Sequence, residues 1–400
     1  MPVEQATKYI LLVPDGMADR PLDELDGKTP MQIARKPHMD YLAANGRVGA
    51  VHTIPEGMDP GSDVAAMSLL GYNPREYYTG RGPIEAVNME IPLDRNDVAF
   101  RCNLVSSDGE TMIDYSGGHV STEEARELMT YVNDKLGTNK ISFYPGVSYR
   151  HIMVWRGGSA DVKTEPPHNI TGQPISDYLP KGDGENTLRS LIFDSIEILS
   201  GHPVNRRRRD EGKSPANMIW PWGQGRALSL PNFLAKTGMT GAVITAVDLI
   251  KGLGRATGMK VVDVPGATGY LDTNFEGKAQ YALEALKERD FVFVHVEAPD
   301  EAGHIGDIDA KIEAIENIDK RTLGPLLDGL KGIECFRIMV VPDHVTPIAT
   351  KTHASDPVPF AIYSSFEPGG TTLPFDERAV PETKLRIEEG FRLIDLLLNA

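Results

Sequence analysis

The sequence predicts an α/β protein in which a mostly parallel sheet carries helices on both faces, interrupted by an inserted α+β domain. Short apolar runs alternate with helical patterns near both ends of the chain, and such alternation is typical of parallel sheets. Near residue 95 the pattern changes to hairpin-like segments, and the alternation returns near residue 216. We therefore predict a discontinuous domain, residues 1–94 and 216–400, and an inserted domain, residues 95–215.

The first segment contains the elements that open the predicted sheet. Residues 8–14 (KYILLVP) form an apolar run, which predicts a buried strand that delivers Asp15 to the loop at its carboxyl end. A helix is predicted over residues 30–45, and the next strand over residues 48–54. The loop after that strand carries Ser62.

The inserted segment has a different pattern of elements. We predict a hairpin from residues 100–105 and 111–115, a helix over residues 122–136, a strand over residues 149–155, and a helix over residues 185–199. Beyond it, predicted strands and helices alternate again. The strands are residues 217–222, 241–247, 260–264, 291–296, 336–341 and 360–363, and the helices are residues 230–237, 249–256, 279–288 and 308–330.

The composition excludes several classes of function. The 400 residues carry a formal net charge of −16, which argues against a nucleic-acid partner. No apolar run approaches the ~18 residues of a membrane span, and the first residues lack the pattern of a signal peptide. The chain has 2 cysteines, far apart in sequence, as suits a reducing compartment. We therefore predict a cytoplasmic protein with neither a membrane nor a nucleic-acid partner.

Ser62 occupies a position suited to binding a phosphate group. It follows the turn signal Pro60-Gly61 and precedes a short apolar segment that ends at Gly71, so it is the predicted N-cap of a helix. Free backbone N–H groups and the helix dipole favour an anion at such a place. The alternative is that the Ser62 hydroxyl only caps the helix.

Carboxylates and imidazoles follow several predicted strands or lie in the next loop. They are Asp15, Asp300, His304, Asp343, His344 and His353. The carboxyl ends of parallel strands meet at one edge of a sheet, so we expect these side chains to converge. A mixed Asp and His set suits borderline divalent ions. Together with Ser62, the set is large enough for two ions about 4 Å apart, an arrangement used for phosphoryl transfer.

These motifs are similar to those of a known family. The metal signature of the alkaline phosphatase superfamily resembles six motifs of this chain: Asp15-Gly16, Pro60-Gly61-Ser62, Ala298-Pro299-Asp300, Gly303-His304, Pro342-Asp343-His344 and Lys351-Thr352-His353. Within that superfamily, the archaeal-type cofactor-independent phosphoglycerate mutases, including their bacterial branch, resemble the chain over essentially its whole length. Further similar strings are Gly80-Arg81-Gly82-Pro83 and Ser148-Tyr149-Arg150-His151.

The resemblance implies an alkaline-phosphatase-like sheet and a nucleophile, Ser62, that becomes phosphoserine. It also implies that Asp15, Ser62, Asp343 and His344 bind one divalent ion. By the same resemblance, the second ion is bound by Asp300, His304 and His353. We expect Mn²⁺, with Zn²⁺, Co²⁺ or Mg²⁺ as alternatives.

Candidate substrate contacts lie in the inserted domain. His119 resembles a family histidine that approaches the transferred phosphoryl group, and Asn169 stands where Asp was expected. Arginine binds carboxylate and phosphate in bidentate fashion, so the basic run near residue 207 is a candidate clamp. The alternative for that run is a solvated linker. The full set of predicted substrate contacts is His119, Arg150, His151, Arg206, Arg207, Arg208, Arg209 and Lys213.

The resemblance implies an isomerase that interconverts 3-phosphoglycerate and 2-phosphoglycerate, a small phosphorylated carboxylate, through phosphoserine. Closure of two domains would exclude water, which would otherwise hydrolyse the phosphoserine. The alternatives are a metal-dependent phosphotransferase such as a homoserine kinase, a phosphomonoesterase of the same superfamily, and a non-catalytic phospholigand-binding protein.

Overall fold

The structure, a computed structural model, describes residues 7–367 and 369–399. The chain forms two compact units: unit 1, Met1–Tyr78 and Leu230–Ala400, and unit 2, Thr79–Ser229. These limits differ from the predicted domain boundaries at residues 94/95 and 215/216. The reason is that the helix Arg81–Asn88 packs on the strands Val98–Ser107 and Met218–Arg226, so its contacts place it in unit 2.

The strands of the described residues are named in chain order. They are β1 (Lys8–Pro14), β2 (Arg47–Val51), β3 (Val98–Ser107), β4 (Met112–Asp114), β5 (Ile141–Tyr144), β6 (Arg150–Trp155), β7 (Val162–Lys163), β8 (Lys181–Gly182), β9 (Met218–Arg226), β10 (Gly241–Ile244), β11 (Lys260–Val262), β12 (Phe291–Val296), β13 (Phe336–Val340), β14 (Val358–Ser364) and β15 (Arg386–Ile387).

The α-helices are named in the same way. They are α1 (Pro30–Ile33), α2 (Pro37–Asn45), α3 (Ser62–Leu69), α4 (Pro74–Tyr77), α5 (Arg81–Asn88), α6 (Thr122–Leu136), α7 (Glu185–Ser200), α8 (Pro203–Asp210), α9 (Phe233–Thr237), α10 (Asp248–Ala256), α11 (Phe275–Leu286), α12 (Ala298–Ile305), α13 (Ile308–Asn317), α14 (Gly324–Leu330), α15 (Ala379–Glu382) and α16 (Leu393–Asn399). None of the helices in the described part of the chain combines the length and apolarity needed to cross a membrane.

Unit 1 is built on an eight-stranded sheet in the order β11-β10-β12-β1-β13-β14-β2-β15. All neighbouring pairs are parallel except those of β14, which runs against β13 and β2. Along β1, Ile10 and Leu12 alternate with Leu11 and Val13, and all four are buried. Burial of both alternating sets is typical of a sheet covered on both faces. The predicted fold class, a mostly parallel α/β sheet, is confirmed.

The register of the three central strands sets the position of the loops that follow them. Pro14 at the end of β1 pairs with Val296 at the end of β12, and Leu12 pairs with Val340 at the end of β13. Because β12, β1 and β13 are adjacent and parallel, the residues just beyond them emerge at one edge of the sheet.

Two predicted helices are interrupted in the structure. The helix predicted over residues 30–45 is divided into α1 and α2, because Pro37 occupies the first turn of α2 and has no N–H to continue α1. The helix predicted over residues 308–330 has a π-helical segment, Ile318–Leu323, between α13 and α14. A π-helical turn is a rare feature inside α-helices, and the sequence was compared only with the 3.6-residue period, so the pattern did not indicate it.

Unit 2 is built on an antiparallel sheet in the order β4-β3-β6-β5, with β9 also paired to β3. One face of this sheet packs on α6 and α7 through a buried apolar cluster that includes Phe100, Leu128 and Leu188. Helix α6 begins with a capping box in which the Ser121 side chain accepts from the backbone N–H of Glu124. Unit 2 is therefore an α+β unit.

Candidate metal centre and nucleophile

Residues that follow β1, β12 and β13 gather at the carboxyl edge of the unit 1 sheet. Each brings oxygen or nitrogen atoms to one of two groups, and the candidate ligand atoms of each group lie within 4.8 Å of one another. The first group is Asp15, Asp343 and His344. The second group is Asp300, His304 and His353. The predicted convergence of these side chains is thus present in the structure, and the assignment of one ion to each group stays a prediction.

Ser62 lies beside the first group and not where the sequence placed it in the helix. Gly61 occupies the N-cap position, and Ser62 is the first residue of α3. The Ser62 hydroxyl donates to Asp15 Oδ2 at 3.4 Å, and its Oγ lies 3.2 Å from His344 Nε2. The predicted N-cap at Ser62 is therefore wrong by one residue, and the hydroxyl is directed to Asp15 and His344, not to the helix backbone.

The three imidazoles of the two groups share one orientation. In each, Nδ1 contacts an oxygen outside the group, so Nδ1 can carry the hydrogen and Nε2 keeps its lone pair for a ligand. The Nδ1 partners are Lys351 O for His304 (3.0 Å), Thr346 Oγ1 for His344 (3.1 Å) and Pro60 O for His353 (3.3 Å). The Nε2 atoms of His304 and His353 lie 2.9 Å apart. Once both rings have lost the Nε2 proton, their two Nε2 lone pairs point towards each other, which suits a shared cation.

The first group contains buried oxygens that no hydrogen bond satisfies. Asp15 Oδ1 and Asp343 Oδ2 have no hydrogen-bond partner among the residues that the structure describes. His344 Nε2 lies 3.5 Å from that Asp15 oxygen and 3.3 Å from that Asp343 oxygen. Burial of unpaired carboxylate oxygens is costly, and a divalent ion removes that cost. The residues of the first group therefore fit a metal ion.

The pKa values of the carboxylates shift in opposite directions in the two groups. Burial, followed by the charges of Asp343 and Asp300, raises the pKa of Asp15 well above its usual range. Burial also raises the pKa of Asp300, but hydrogen bonds from His304 and His353 outweigh it and hold that pKa well below the usual value. Ionisation of the carboxylates in the first group is thus unfavourable, and a cation would offset that cost by neutralising their charge.

The pKa values of the imidazoles also shift in opposite directions in the two groups. Burial lowers the pKa of His304, but the hydrogen bond to Asp300 and the charge of Asp300 outweigh burial and raise the pKa to about 9. Burial, with a smaller effect from His353, lowers the pKa of His344 to about 3. His344 is therefore neutral at physiological pH and able to act as a ligand, whereas His304 must lose a proton before it can bind a metal ion.

Sequence analysis missed two residues of this region. His295, near the end of β12, is buried and places Nε2 3.0 Å from Asp15 Oδ2 and Nδ1 3.2 Å from Thr245 Oγ1. Thr346 donates to Asp300 Oδ1 at 2.5 Å and contacts the ring of His344, so it links the two groups. The signal for His295 was present, since an imidazole is unusual in an otherwise apolar strand. Thr346 carries no such signal.

Gly16 is required by the close packing of the two groups. It has φ +59°, and a Cβ at this position would lie 2.5 Å from Asp300 Oδ1 and 2.6 Å from Thr346 Oγ1. Its N–H donates to Asp343 Oδ1 at 2.9 Å. Any side chain here would displace Asp300, so the Asp15-Gly16 motif has a steric basis.

The predicted arginine clamp lies in α8 of unit 2. The guanidinium of Arg208 is buried and fully engaged: it donates to Glu124 Oε2 (2.7 Å), Ser214 O (3.0 Å), Gly117 O (2.9 Å) and Gly118 O (2.8 Å). Arg209 donates to Ser200 O at 2.6 Å. Successive residues of a helix point about 100° apart, so the run cannot converge on one ligand. Arg208 is a structural residue, while Arg206, Arg207, Arg209 and Lys213 stay predicted substrate contacts.

The loop that presents His119 is held by Arg208. Gly117, Gly118 and His119 have φ of +60°, +66° and +50°, three successive residues in the left-handed region. The two Arg208 hydrogen bonds end on the carbonyls of the two glycines. His119 itself is exposed, and Asn169, also exposed, donates to Glu165 Oε1 at 2.9 Å.

Arg150 and His151 lie on opposite faces of β6, because side chains alternate along a strand. Arg150 pairs with Asn103 and is exposed, whereas His151 pairs with Cys102 and is buried. His151 Nδ1 accepts from the Gly146 N–H at 3.0 Å. Burial, with smaller effects from nearby arginines, lowers the pKa of His151 to about 3. This placement argues against the predicted substrate contact for His151.

The fold and this edge of the sheet define a class of protein. It is an α/β protein with a serine hydroxyl beside paired Asp and His groups that fit divalent ions, as in phosphoryl transfer.

A family model described as "2,3-bisphosphoglycerate-independent phosphoglycerate mutase" matches residues 43–205. A mutase of that name from Methanosarcina barkeri is 51% identical over 396 residues, 98% of this chain and 100% of the relative. A Geobacter sulfurreducens protein named "Probable 2,3-bisphosphoglycerate-independent phosphoglycerate mutase" is 50% identical over 398 residues, 98% of this chain and 100% of the relative.

Solved structures agree with the sequence relatives. The PH0037 protein from Pyrococcus horikoshii is 31% identical with a TM-score of 0.82, covering 99% of this chain and 97% of the other. The cofactor-independent phosphoglycerate mutase from Thermoplasma acidophilum is 30% identical with a TM-score of 0.65, covering 98% of both chains. The chain belongs to the family of 2,3-bisphosphoglycerate-independent phosphoglycerate mutases. The family predicted from the sequence motifs is confirmed.

Proposed function

We propose that this protein is an isomerase that interconverts 3-phosphoglycerate and 2-phosphoglycerate through a phosphoserine at Ser62. The observation that carries the proposal is the Ser62 hydroxyl, which lies within hydrogen-bonding reach of Asp15 and His344, beside a second Asp and His group. The names of the family relatives support the reaction and the small phosphorylated substrate.

In the first half-reaction, Ser62 Oγ gives up its proton and forms a bond to phosphorus, while the bond between phosphorus and the glycerate oxygen breaks and that oxygen takes up a proton. The contact to Asp15 Oδ2 orients the hydroxyl. The glycerate then turns, and its other hydroxyl takes the phosphoryl group back, which frees Ser62. Divalent ions bound by the two groups would supply Lewis-acid stabilisation of the phosphoryl charge and lower the pKa of the serine hydroxyl.

Mn²⁺ is the ion we propose for the two groups, because their mixture of carboxylate and imidazole ligands suits a borderline cation. Asp15, Asp343 and His344 with Ser62 would hold one ion, and Asp300, His304 and His353 the other. We propose a cytoplasmic location, which the two free cysteines, Cys102 and Cys335, support.

An assay of the purified protein tests the proposal against its rivals. With Mn²⁺ and no 2,3-bisphosphoglycerate, 3-phosphoglycerate should be converted to 2-phosphoglycerate, and acid-quenched protein should carry phosphate on Ser62. Two further arms offer homoserine with ATP, and a simple phosphomonoester. Phosphorylation of homoserine, or hydrolysis of the monoester without any mutase reaction, would overturn the proposal.

A further inference from the structure

His295 lies outside the two candidate metal groups, yet its buried ring contacts a member of the first group. Its Nε2 lies 3.0 Å from Asp15 Oδ2, and its Nδ1 lies 3.2 Å from the hydroxyl oxygen of Thr245, the residue that follows β10. The backbone of His295 is held from two directions, because it pairs with Val13 in the sheet and its carbonyl oxygen accepts from Lys278 Nζ at 2.8 Å. The ring therefore approaches Asp15 from a backbone that is fixed in place.

The candidate ligand His344 also contacts a threonine through Nδ1, and that threonine fixes the tautomer that a ligand needs. Thr346 donates its hydrogen to Asp300 Oδ1 at 2.5 Å, so its oxygen can only accept from His344 Nδ1, which lies 3.1 Å away. The hydrogen of the neutral His344 ring is then on Nδ1, and the lone pair on Nε2 is free for an ion.

The contact between His295 and Thr245 has the opposite polarity. Thr245 Oγ1 accepts from the Val247 N–H at 3.0 Å, which leaves the hydroxyl hydrogen for His295 Nδ1. Burial lowers the pKa of His295 to about 4, so its ring is neutral at physiological pH. A neutral ring that accepts at Nδ1 carries its hydrogen on Nε2. His295 thus presents an N–H donor to Asp15, where His344 presents a lone pair.

The Nε2 donor of His295 is committed to no other group of the described chain. It is buried and makes no aligned hydrogen bond among residues 7–367 and 369–399, and Asp15 Oδ2 is the oxygen 3.0 Å from it. Buried donors rarely stay unpaired in folded proteins. A small rotation of either side chain would complete a hydrogen bond to Oδ2 and would leave Asp15 Oδ1, which is also buried and unpaired, for a ligand.

We propose that His295 is a positioning residue of the first group: its Nε2–H holds Asp15 Oδ2 so that Oδ1 binds the ion, and Thr245 holds His295 in the tautomer that does this. That the occupant is a divalent ion rests on the proposed function. Residues that orient metal ligands in this way typically change metal affinity by roughly 10- to 100-fold.

The tautomer of His295 provides a test that does not depend on activity. Full-length protein, isotope-labelled at the histidine nitrogens and loaded with diamagnetic Zn²⁺, is studied by long-range proton–nitrogen correlation spectra. The signals that disappear in His295→Gln are those of His295. They should show the hydrogen on Nε2, and Thr245→Val, which lacks the donor to Nδ1, should populate the other tautomer. A hydrogen on Nδ1 of wild-type His295 would overturn the proposal.

Ion affinity provides the second test, in a His353→Ala background that removes a ligand from the second group only. There, His295→Leu should weaken Mn²⁺ binding by about 10- to 100-fold. His295→Gln, whose amide N–H can take the place of Nε2–H, should stay within about threefold of the background protein. The matched control is His151→Leu, which also removes a buried imidazole, but from unit 2. Its Mn²⁺ affinity should stay within about twofold of the background protein.

Thr245→Val keeps the affinity test decisive if His295→Leu does not fold, and it should weaken Mn²⁺ binding by at least about threefold. An affinity within twofold of the control, for Thr245→Val or for a folded His295→Leu, would overturn the positioning role. Equal losses in His295→Leu and His295→Gln would assign the effect to packing and would also overturn it. So would a wild-type protein that binds no divalent ion.

The outcome is separable from that of the proposed function. Ion affinity that is lost in His295→Leu and restored in His295→Gln, in a protein that does not isomerise 3-phosphoglycerate, supports the positioning role and refutes the mutase reaction. Protein that isomerises 3-phosphoglycerate, but whose ion affinity is unchanged in His295→Leu, supports the reaction and refutes the positioning role.

Discussion

The two units of this chain show opposite relations between closeness in sequence and closeness in space. In unit 1, Asp15, Asp300 and Asp343 are far apart in sequence yet lie at one sheet edge, because the strands before them are adjacent and parallel. In unit 2, Arg206 to Arg209 are consecutive yet diverge around one turn of α8. The arginines that do meet, Arg81 and Arg101, share the Glu85 carboxylate and come from two separate elements.

The difference shows that a cluster of similar residues must be interpreted by the secondary structure that carries it, a strand end or a helix. A strand end in a parallel sheet delivers its next residue to a shared edge, whatever the sequence separation. A run of like residues on a helix spreads over the whole circumference, and some of them turn inward to serve the fold. Arg208 is the example, since its buried guanidinium supports the His119 loop.

The largest expected effect sharpens the assignment in unit 1. Ser62→Ala should reduce mutase turnover to below about a hundredth of wild type, because it removes the oxygen that is proposed to bond to phosphorus. Its metal content, measured by elemental analysis, should be nearly unchanged, since the carboxylates and imidazoles remain. The control is Ser68→Ala in the same helix, because the buried Ser68 hydroxyl has no hydrogen-bond partner among the described residues. Turnover retained in Ser62→Ala would remove Ser62 from the nucleophile role.

The next effect tests whether the basic run serves the fold. Arg208→Ala should lower the free energy of unfolding of unit 2 by about 3–5 kcal/mol, because it leaves Glu124 partly buried without its main partner. Urea unfolding followed by tryptophan fluorescence measures this, since Trp155, Trp220 and Trp222 all lie in unit 2. Arg209→Ala, which loses one exposed bond to Ser200, should stay within about 0.5 kcal/mol of wild type. Equal stability of the two variants would contradict the structural role of Arg208.

A third prediction concerns the division of unit 1 into two groups. His353→Ala removes one of three ligands from the second group only, so the metal content should fall from about two ions towards one. Elemental analysis after dialysis against limiting Mn²⁺ gives the stoichiometry. His52→Ala, which alters a surface histidine near Glu388, should keep the full content. Two ions retained in His353→Ala would show that the ligands of the second group are assigned incorrectly.

The smallest expected effect tests whether His151 is buried, in contrast to its exposed neighbour Arg150. Folded His151 has a pKa of about 3, whereas the unfolded imidazole titrates near 6.5. Between these values the unfolded state binds one more proton, so the stability contributed by neutral His151 is complete above pH 6.5 and is lost as the pH falls. The slope is about 1.4 kcal/mol per pH unit. Buried His295 and His344, with folded pKa values of about 4 and about 3, add slopes of their own. In urea titrations between pH 5 and 6.5, His151→Gln should therefore lower the total slope by about 1.4 kcal/mol per pH unit, whereas the exposed-site variant His119→Gln should keep the wild-type slope. An unchanged slope in His151→Gln would place the imidazole in solvent, as a substrate contact requires.

The sequence predicted the sheet and its edge because both depend on local, periodic signals. The runs at residues 8–14 and 291–296 became β1 and β12 with the predicted limits. The domain limits and the contacts of Arg101 with Glu85 and Trp222 could not be predicted, because they depend on which surfaces of α5, β3 and β9 pack together. Arg101 looks the same in sequence whether Glu85 and Trp222 surround it or not, so only tertiary contacts reveal its surroundings.

Thr346 gives the two candidate metal groups a common member. Its hydroxyl hydrogen goes to Asp300 in one group, while its oxygen faces the ring of His344 in the other. An ion bound at either group would restrict the rotamer of this threonine and would therefore change the cost of ordering the other group. The two ions should then bind with reciprocal, non-independent affinities, and Thr346→Val should make a metal titration resolve into two uncoupled steps.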